Sequence, residues 1–333
     1  MRISFFNLFR RSALSLFVGA GLVLSNGARA EVTPEIGAEM FRTSDGTELP
    51  MRSWMPREKP RALIVALHGF AEYSFSYARP AASWAKKGIA TFAYDQRGFG
   101  AAPHVLHWSS SERMVSDATE AVAALRARYP GIPTFLIGES MGGAVATVAT
   151  AGPRSANVDG VILVAPAVWE HGLLGSIERS ALWITRATLP GLWLTPPRGL
   201  NIHPSDNIQM LREMSRDSLV QMGARADTTA GLMDLMDLAG NEASHIHLPT
   251  LVLFGAHEEV LPHTAVKAFL DRVPPENVRV AFYPKGYHML LRDLDGDVVA
   301  GDVAAWVADR NAPLPSGDEC GGAAATSQPC RRR

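Results

Sequence analysis

A serine flanked by glycines is the side chain of this sequence best placed for nucleophilic chemistry. Residues 134–143 read TFLIGESMGG, so Ser140 lies at the centre of a G-x-S-x-G pattern. The apolar residues before it are typical of a buried parallel strand, and the small residues after it are typical of a helix on a sheet. Because Gly138 and Gly142 carry no Cβ atoms, a sharp turn can present the hydroxyl above the sheet. A chance match among 29 glycines is the alternative, but the position between strand and helix favours a nucleophile.

A serine hydroxyl needs a base that accepts its proton, and His288 is the predicted base. The chain contains ten histidines. His288 alone follows a predicted strand at 278–283 and a turn, and it precedes the last predicted helix. A loop beyond the carboxyl end of a late strand is where an imidazole can reach Ser140. A surface histidine without a catalytic role is the alternative interpretation.

A carboxylate is expected to orient that imidazole, and the segment after the predicted strand at 250–254 supplies two candidates. It reads GAHEEVLP, in which Glu258 is the first choice and Glu259 the alternative. Either carboxylate could accept the imidazole N–H. Asp293 and Asp295 are close to His288 in sequence, but the pattern assigns them to the start of the last helix.

Two backbone N–H groups should stabilise the negative charge that develops on the substrate oxygen. We expect one from Met141, which follows the nucleophile at a helix N-terminus, where backbone donors are unpaired. We expect the other from Phe70, because Gly69 permits a tight turn after the predicted strand at 62–67. His68 is predicted to hold this loop by hydrogen bonds and not to act as a base.

The elements that position these residues alternate between strand and helix. Such alternation predicts an α/β protein with a mostly parallel, eight-stranded sheet and helices on both faces. A capping box at Ser109–Glu112 predicts the start of one helix. The predicted strands are 39–43, 48–54, 62–67, 89–94, 134–137, 158–164, 250–254 and 278–283, and the other predicted helices include 80–87, 264–272 and 297–309.

The alternation is interrupted in the middle of the chain and stops near its end. Residues 167–245 contain no clear strand and are predicted to form a helical cap inserted into the core. The core itself is predicted to comprise residues 31–166 and 246–312. Residues 313–333 are rich in Pro, Gly, Ala and Ser, so we expect a flexible tail there.

The first thirty residues have the pattern of a secretory signal peptide. Three arginines precede an apolar stretch at 12–24, which is too short for a comfortable membrane span. Ala28-Arg29-Ala30 supplies a cleavage site, so the mature chain is predicted to begin at Glu31 and to be secreted to the periplasm. An uncleaved N-terminal anchor is the alternative.

Composition excludes several classes of function. The formal net charge is −1, and no block of Lys and Arg lies inside the body of the chain, so nothing favours a nucleic-acid partner. The only cysteines, Cys320 and Cys330, lie in the predicted tail, where neither can be the catalytic nucleophile; the sequence leaves open whether they form a disulfide. No cluster has metal-ligand spacing, so neither a metal nor a cofactor is expected.

Five short motifs in a fixed order resemble those of the monoacylglycerol lipase and lysophospholipase group of α/β-hydrolases, also labelled serine aminopeptidase-like. The resemblance covers about residues 36–310 and implies an α/β-hydrolase fold. It also implies Ser140 as nucleophile, His288 as base, and Phe70 and Met141 as oxyanion donors. The family usually has aspartate where this chain has Glu258. The motifs are His68-Gly69, Asp95-Gln96-Arg97-Gly98-Phe99-Gly100, Gly138-Glu139-Ser140-Met141-Gly142-Gly143, Gly255-Ala256-His257-Glu258 and Gly286-Tyr287-His288.

Two residues of the second motif, Asp95 and Arg97, are predicted to brace the loop beside the site. They are not expected to contact the substrate.

The predicted cap is the internal clue to substrate. It concentrates apolar side chains that could accept an acyl chain, each buried methylene of which contributes about 0.8 kcal/mol. The alternative is that these side chains only form the core of the cap. They are Leu173, Leu174, Ile177, Leu182, Trp183, Ile184, Leu189, Leu192, Trp193 and Leu194, with a second group at Met210, Met214, Met222, Met233 and Met236.

These observations predict a serine hydrolase that cleaves carboxylic esters of single-chain lipids, with transient membrane-surface contact through the cap. A peptidase or amidase of the same fold is the second hypothesis. It would need an acidic pocket for a substrate amino terminus, for which Glu72, Glu139 and Glu170 are the candidates. A non-catalytic binding protein is the third hypothesis. The oligomeric state is left open.

Overall fold

A computed structural model of the chain describes residues 32–153, 155–168, 184–195 and 202–320. The predicted signal peptide, Glu31 and Cys330 lie outside the described residues. So do Glu170 and five apolar residues of the predicted cap, namely Leu173, Leu174, Ile177, Leu182 and Trp183. None of the helices within the described ranges combines the length and the apolar character that crossing a membrane requires.

The centre of the fold is a ten-stranded sheet in the order β1-β2-β3-β5-β4-β6-β7-β10-β11-β12. The six strands from β5 to β11 in that order are parallel, and the other four pair antiparallel at the two edges. The strands are β1 (Glu35–Ile36), β2 (Met40–Arg42), β3 (Glu48–Trp54), β4 (Ala62–Leu67), β5 (Ile89–Tyr94), β6 (Thr134–Glu139), β7 (Gly160–Val164), β8 (Trp193–Leu194), β9 (Ala224–Arg225), β10 (Thr250–Gly255), β11 (Val278–Tyr283) and β12 (Glu319–Cys320).

All eight strands expected from the sequence are present, and β1 and β12 add one short strand at each edge. The mostly parallel α/β architecture is therefore confirmed, with ten strands in the sheet instead of eight. β1 and β12 have two residues each. A segment of that length has no measurable hydrophobic period, which is why the pattern did not predict either strand.

Helices connect the parallel strands and cover both faces of the sheet. Within the described ranges they are α1 (Ala78–Lys86), α2 (Ser111–Arg128), α3 (Met141–Thr150), α4 (Ile208–Met214), α5 (Ala226–Glu242), α6 (His263–Leu270) and α7 (Gly296–Ala308), together with a helical turn at 184–188. The N-cap of α2 is Ser110, whose side chain accepts a hydrogen bond from the Arg113 N–H at 3.1 Å. The N-cap serine thus lies one residue later than predicted. Because Arg113 and not Glu112 is the third helical residue, the predicted capping box at Ser109–Glu112 is wrong, although the helix begins as expected.

Strand β4 shows why the central strands are apolar throughout. Leu63, Val65 and Leu67 belong to one hydrophobic cluster, whereas Ile64 and Ala66 belong to the cluster on the opposite face. Successive side chains of a strand point to opposite faces, so a strand covered on both sides needs an apolar residue at every position. This arrangement fixes the carboxyl end of β4, from which the predicted oxyanion loop starts.

One helix of the predicted cap packs on the core. Helix α5 lies within the predicted insertion, but Leu235 and Ala239 belong to the main hydrophobic cluster, and the helix packs against α3. The insertion also contains a small antiparallel pair, β8 with β9, where no strand was predicted. A helix buries one apolar stripe whether it packs on a cap or on a sheet, so periodicity alone could not assign α5.

The predicted flexible tail is wrong for residues 313–320. Leu314 is buried in the cluster that α7 covers, and Cys320 is buried in β12. The Arg279 guanidinium donates to Glu319 at 2.6 Å, and the Ser316 N–H donates to Asp302 at 2.9 Å. These anchors come from distant parts of the chain, so local composition did not reveal them. Residues 321–333 lie outside the described residues.

Candidate active site

Ser140 occupies a sharp turn between β6 and α3, with φ 52° and ψ −116°. Its N–H donates to the Val164 carbonyl at 3.0 Å, which holds the turn in this uncommon left-handed conformation. A Cβ atom on Gly138 would lie 2.1 Å from the Gly142 carbonyl oxygen, and one on Gly142 would lie 2.1 Å from the Leu67 carbonyl oxygen. Both glycines are therefore required by the close approach of backbone around the serine.

Hydrogen bonds connect Ser140, His288 and Glu258 in a chain. His288 Nε2 lies 3.0 Å from Ser140 Oγ, and His288 Nδ1 lies 2.8 Å from Glu258 Oε2. An ionised carboxylate only accepts hydrogen bonds, so the imidazole proton is on Nδ1 and the Nε2 lone pair faces the serine hydroxyl. That arrangement allows His288 to accept the serine proton.

The electrostatics of the pair agree with this assignment of protons. Burial acts to raise the pKa of Glu258, but hydrogen bonds from His288 and from the Leu261 and Val260 N–H groups outweigh it, so this pKa is lower than usual. Burial acts to lower the pKa of His288, but the hydrogen bond and charge of Glu258 raise it above its ordinary value. Glu258 is therefore an anion near neutral pH and strengthens the imidazole as a base.

The other candidate acids have different partners. Glu259 accepts hydrogen bonds from the His203 N–H at 2.7 Å and lies at the surface. Asp293 is buried and accepts from Ser205 Oγ at 2.6 Å and from the Tyr287 N–H at 2.7 Å. Asp293 thus holds the backbone beside the histidine, whereas Glu258 contacts the imidazole itself. Asp295 is the residue before α7, as the sequence suggested.

The predicted oxyanion donors lie on the two segments that meet at Ser140. Met141 is the first residue of α3, directly after the serine. Phe70 follows Gly69, and a Cβ atom on Gly69 would lie 3.6 Å from the Ser140 Cβ, so this backbone passes beside the nucleophile. Neither the Phe70 N–H nor the Met141 N–H has an acceptor among the described residues. Two backbone donors are therefore available next to the serine.

His68 is fully buried and uses both ring nitrogens to hold the loop after β4. Its Nε2 accepts from the Gln96 N–H at 2.9 Å, and its Nδ1–H donates to the Gly69 carbonyl at 2.8 Å. Burial lowers the pKa of His68, so the ring is neutral, as these two bonds require. Its place in the structure matches the expected holding function.

Asp95 and Arg97 bind neighbouring backbone and side chains around the same loop. Asp95 accepts from the Ser74 N–H at 3.0 Å and from the Ala101 N–H at 2.9 Å. Arg97 donates to Asp117 at 2.6 Å. These contacts are those of bracing residues, as predicted.

Sequence reasoning missed Arg292, which is buried next to the site. One guanidinium nitrogen, Nη2, donates to Glu72 at 2.9 Å and to Glu139 at 3.0 Å. Burial raises the pKa of Glu139 to about 7, although the Arg292 charge acts to lower it. The sequence signal for this pair is Glu139 itself, because a glutamate at the end of an otherwise apolar strand indicates a buried cationic partner.

The family model Hydrolase_4, described as serine aminopeptidase, S33, matches residues 58–295 of the chain. The chain belongs to this family. Curated relatives include the monoacylglycerol lipase of Mycolicibacterium smegmatis, 25% identical over 80% of this chain and 95% of its own length. The human monoglyceride lipase is 26% identical over 81% of this chain and 89% of its own length.

Solved structures confirm the α/β-hydrolase fold of this family member. The monoacylglycerol lipase of Paleococcus ferrophilus superposes with a TM-score of 0.65 at 22% identity, over 78% of this chain and 98% of its own. A soluble variant of the Saccharomyces cerevisiae monoglyceride lipase, solved in complex with a substrate analogue, superposes with a TM-score of 0.68 at 19% identity. The superposition covers 85% of this chain and 97% of the yeast chain.

Proposed function

We propose that this chain is a serine hydrolase that cleaves carboxylic esters of single-chain lipids, of the monoacylglycerol or lysophospholipid type. One observation carries the proposal: a continuous hydrogen-bond chain runs from Glu258 through His288 to Ser140. The relatives named monoacylglycerol lipase and monoglyceride lipase support an ester as substrate.

The geometry leads to acyl transfer in two steps. Ser140 Oγ attacks the ester carbonyl while His288 Nε2 accepts its proton, and Glu258 stabilises the imidazolium. The N–H groups of Phe70 and Met141 donate to the oxyanion. His288 then gives the proton to the leaving alcohol, which departs and leaves an acyl-serine. Water attacks this ester with His288 again as base, and the carboxylic acid and the free serine are formed.

Apolar surface in the described part of the insertion supports a lipid substrate. Met210, Met214 and Val220 line one part of a cavity of about 410 Å³ next to Glu72 and Arg292. The other lining residues are mostly polar and include neither Ser140 nor His288, so the cavity lies beside the catalytic residues and not over them. On the outside, Ile184, Leu189, Leu192, Trp193 and Met222 are exposed. An exposed group of this kind suits transient contact with a lipid surface, which we propose as the route by which substrate reaches the enzyme.

We further propose that the protein is exported to the periplasm. The support is the pattern of residues 1–30, with its arginines, its apolar stretch and its A-x-A cleavage site. Sequencing of the N-terminus of the protein recovered from a periplasmic extract is expected to begin at Glu31. Recovery of the full-length chain from membranes would favour the uncleaved anchor.

The peptidase hypothesis has weaker support. Glu72 and Glu139 are both paired with Arg292, so these acids are already occupied by a cation of the protein itself. The non-catalytic hypothesis requires a missing or displaced catalytic group, whereas Ser140, His288 and Glu258 are present and hydrogen-bonded.

Hydrolysis of p-nitrophenyl butyrate by Ser140→Ala tests the proposal. We expect turnover at the background rate, with Ser215→Ala, a change of an exposed serine of the insertion, at the wild-type rate. Activity of Ser140→Ala at the wild-type level would exclude Ser140 as the nucleophile. A parallel screen of a monoacylglycerol, a lysophospholipid and an aminoacyl amide then assigns the substrate class, and preference for the amide would support the peptidase instead.

A further inference from the structure

Three charged side chains form a buried cluster beside Ser140, which we call the Arg292 cluster: Arg292, Glu72 and Glu139. Each is exposed by 8% or less. The Arg292 Nη2 atom lies 2.9 Å from Glu72 Oε1 and 3.0 Å from Glu139 Oε2, so a single nitrogen joins both carboxylates. With all three groups ionised, the cluster carries two negative charges and one positive charge.

Each member of the cluster belongs to a segment that carries a different part of the site. Glu72 follows Phe70 by two residues, on the loop after β4. Glu139 is the residue before Ser140. Arg292 follows His288 by four residues, on the segment that leads into α7. The cluster therefore connects the oxyanion loop, the nucleophile turn and the histidine segment at one point.

Stability is a poor explanation for this arrangement. The burial of three charges is costly, and apolar residues of similar volume often stabilise a fold as well or better. The cluster is also incompletely bonded, because Glu139 Oε1 and Arg292 Nε have no hydrogen-bond partner among the described residues. Incompletely paired buried polar groups are expected where a site needs a fixed geometry or a tuned charge.

We propose that Arg292 is a positioning residue, which sets the spacing of Phe70, Ser140 and His288 through its bonds to Glu72 and Glu139. We also propose that the Glu139 carboxylate strengthens His288 as a base. Both statements rest on the serine hydrolase function proposed above.

Glu139 is buried and directly precedes Ser140, whose Oγ lies 3.0 Å from His288 Nε2, so its carboxylate belongs to the segment that contacts the imidazole. The charges around His288 then give the direction of its effect on the pKa of this histidine. Glu258 and Glu139, and more weakly Glu72, raise the pKa of His288. The serine can be activated only when His288 is neutral, so activity rises with pH through the pKa of this histidine. Because burial raises the pKa of Glu139 to about 7, its carboxylate is mostly charged above that pH; glutamine at position 139 removes this charge and should lower the pKa of His288. The charged groups around His288 are Glu258 after β10, Glu139 at the end of β6, Glu72 after β4, and Arg292 and Asp293 on its own segment.

Steady-state kinetics of Arg292→Met test the positioning function. We expect kcat for p-nitrophenyl butyrate to fall at least about tenfold with less than about a threefold change in KM, because misplaced catalytic groups slow the chemical step more than binding. Arg292→Lys, which restores the charge and one of the two bonds, should recover part of the loss. Arg279→Met is the matched control, since it breaks the Arg279–Glu319 pair at the other end of β11 and should leave kcat within about twofold.

The pH profile of Glu139→Gln keeps the proposal testable if Arg292→Met does not fold. We expect the acid limb of the kcat/KM profile to move to lower pH by about half a unit. Circular dichroism should show that the variant keeps the wild-type fold. An unchanged limb would overturn the proposed effect on His288, and wild-type kcat in folded Arg292→Met would overturn the positioning function. A wild-type enzyme without ester hydrolysis would instead contradict the proposed function itself.

Discussion

Two charged clusters among the described residues, one around Arg97 and one around Arg292, differ in how completely their hydrogen bonds are made. The Arg97 cluster joins the β2–β3 hairpin to α2. Arg97 donates through Nε to Asp117, through Nη1 to Thr47, and through Nη2 to Asp45, so each guanidinium nitrogen has a partner. In the Arg292 cluster, one nitrogen makes both carboxylate bonds, and Nε has no partner among the described residues.

The difference separates a structural cluster from a functional one. Complete pairing offsets the cost of removing charges from water, which is what a cluster that holds two elements together requires. The Arg292 cluster also removes charges from water, but fewer hydrogen bonds offset the cost. It lies between the segments that carry the predicted triad and the oxyanion loop. We infer that changes near Ser140 will reduce activity more than stability, and that changes at Arg97 will do the reverse.

The largest expected effect is on activity at the acid of the triad. Glu258→Gln should reduce kcat by about 10³- to 10⁴-fold, because the amide cannot stabilise the imidazolium and favours the wrong tautomer. Glu259→Gln is the matched control and should retain wild-type kcat, because this neighbouring carboxylate bonds to His203 and to no other described residue. Equal losses in the two variants would contradict the assignment of the acid.

At the structural cluster the expected effect is on stability. Arg97→Met leaves the buried Asp117 with one cationic partner fewer, so the free energy of unfolding should fall by about 3 kcal/mol. Urea denaturation measures this loss. The value of kcat per folded molecule should remain within about twofold of wild type, and a tenfold loss of kcat without a loss of stability would reverse the comparison.

The pH dependence of stability should differ in sign between Asp45 of the Arg97 cluster and Glu139 of the Arg292 cluster. Asp117 of the Arg97 cluster is more deeply buried than Asp45, and burial raises its pKa although Arg97 and Arg113 act to lower it. Hydrogen bonds with Arg97 and with Thr43 and Thr47 overcome burial and hold the pKa of Asp45 below its usual range, so its contribution is present above about pH 4 and is lost as the pH falls. Burial raises the pKa of Glu139 to about 7, so the native state favours protonation and stability decreases as the pH rises from about 4 to 7.

Denaturation of Glu139→Gln and Asp45→Asn across this pH range separates the two contributions. Between pH 4 and 7, the free energy of unfolding of Glu139→Gln should rise by more than about 1 kcal/mol relative to that of the wild type. Asp45→Asn should be less stable than the wild type at neutral pH, and this difference in the free energy of unfolding should decrease as the pH falls below about 4. Parallel curves for wild type and Glu139→Gln would mean that Glu139 titrates normally.

The smallest expected effect lies outside both clusters, on the exposed surface of the insertion. Trp193→Ser combined with Leu189→Ser should reduce hydrolysis of a monoacylglycerol presented in phospholipid vesicles by about three- to tenfold, because apolar contact area with the lipid is lost. Hydrolysis of soluble p-nitrophenyl butyrate should not change. An equal loss on both substrates would place these residues at the site and not at a lipid surface.

The sequence predicted local features well, and it predicted long-range polar contacts poorly. Strands such as β4 and β5 were placed to the residue, because a strand buried on both faces is apolar throughout. Ser140, Glu258 and His288 were recognised from their positions after strands, and the structure brings their side chains together; their catalytic roles remain predictions until kinetics test them.

Arg292 was missed because its partners Glu72 and Glu139 are 220 and 153 positions away in the chain. The same limit explains the burial of Leu314 in a segment whose composition predicted a flexible tail. Neither contact leaves a local pattern, because the partners meet only once the sheet has formed.

Labelling with a fluorophosphonate, followed by peptide mass spectrometry, tests whether Ser140 is a nucleophile that His288 activates. The probe phosphonylates a serine, with loss of fluoride, only when a neighbouring base activates the hydroxyl. We expect one adduct per chain, located on Ser140 and lost in His288→Ala. An unlabelled but folded and ester-hydrolysing protein, or an adduct on another residue that accompanies activity, would contradict this expectation.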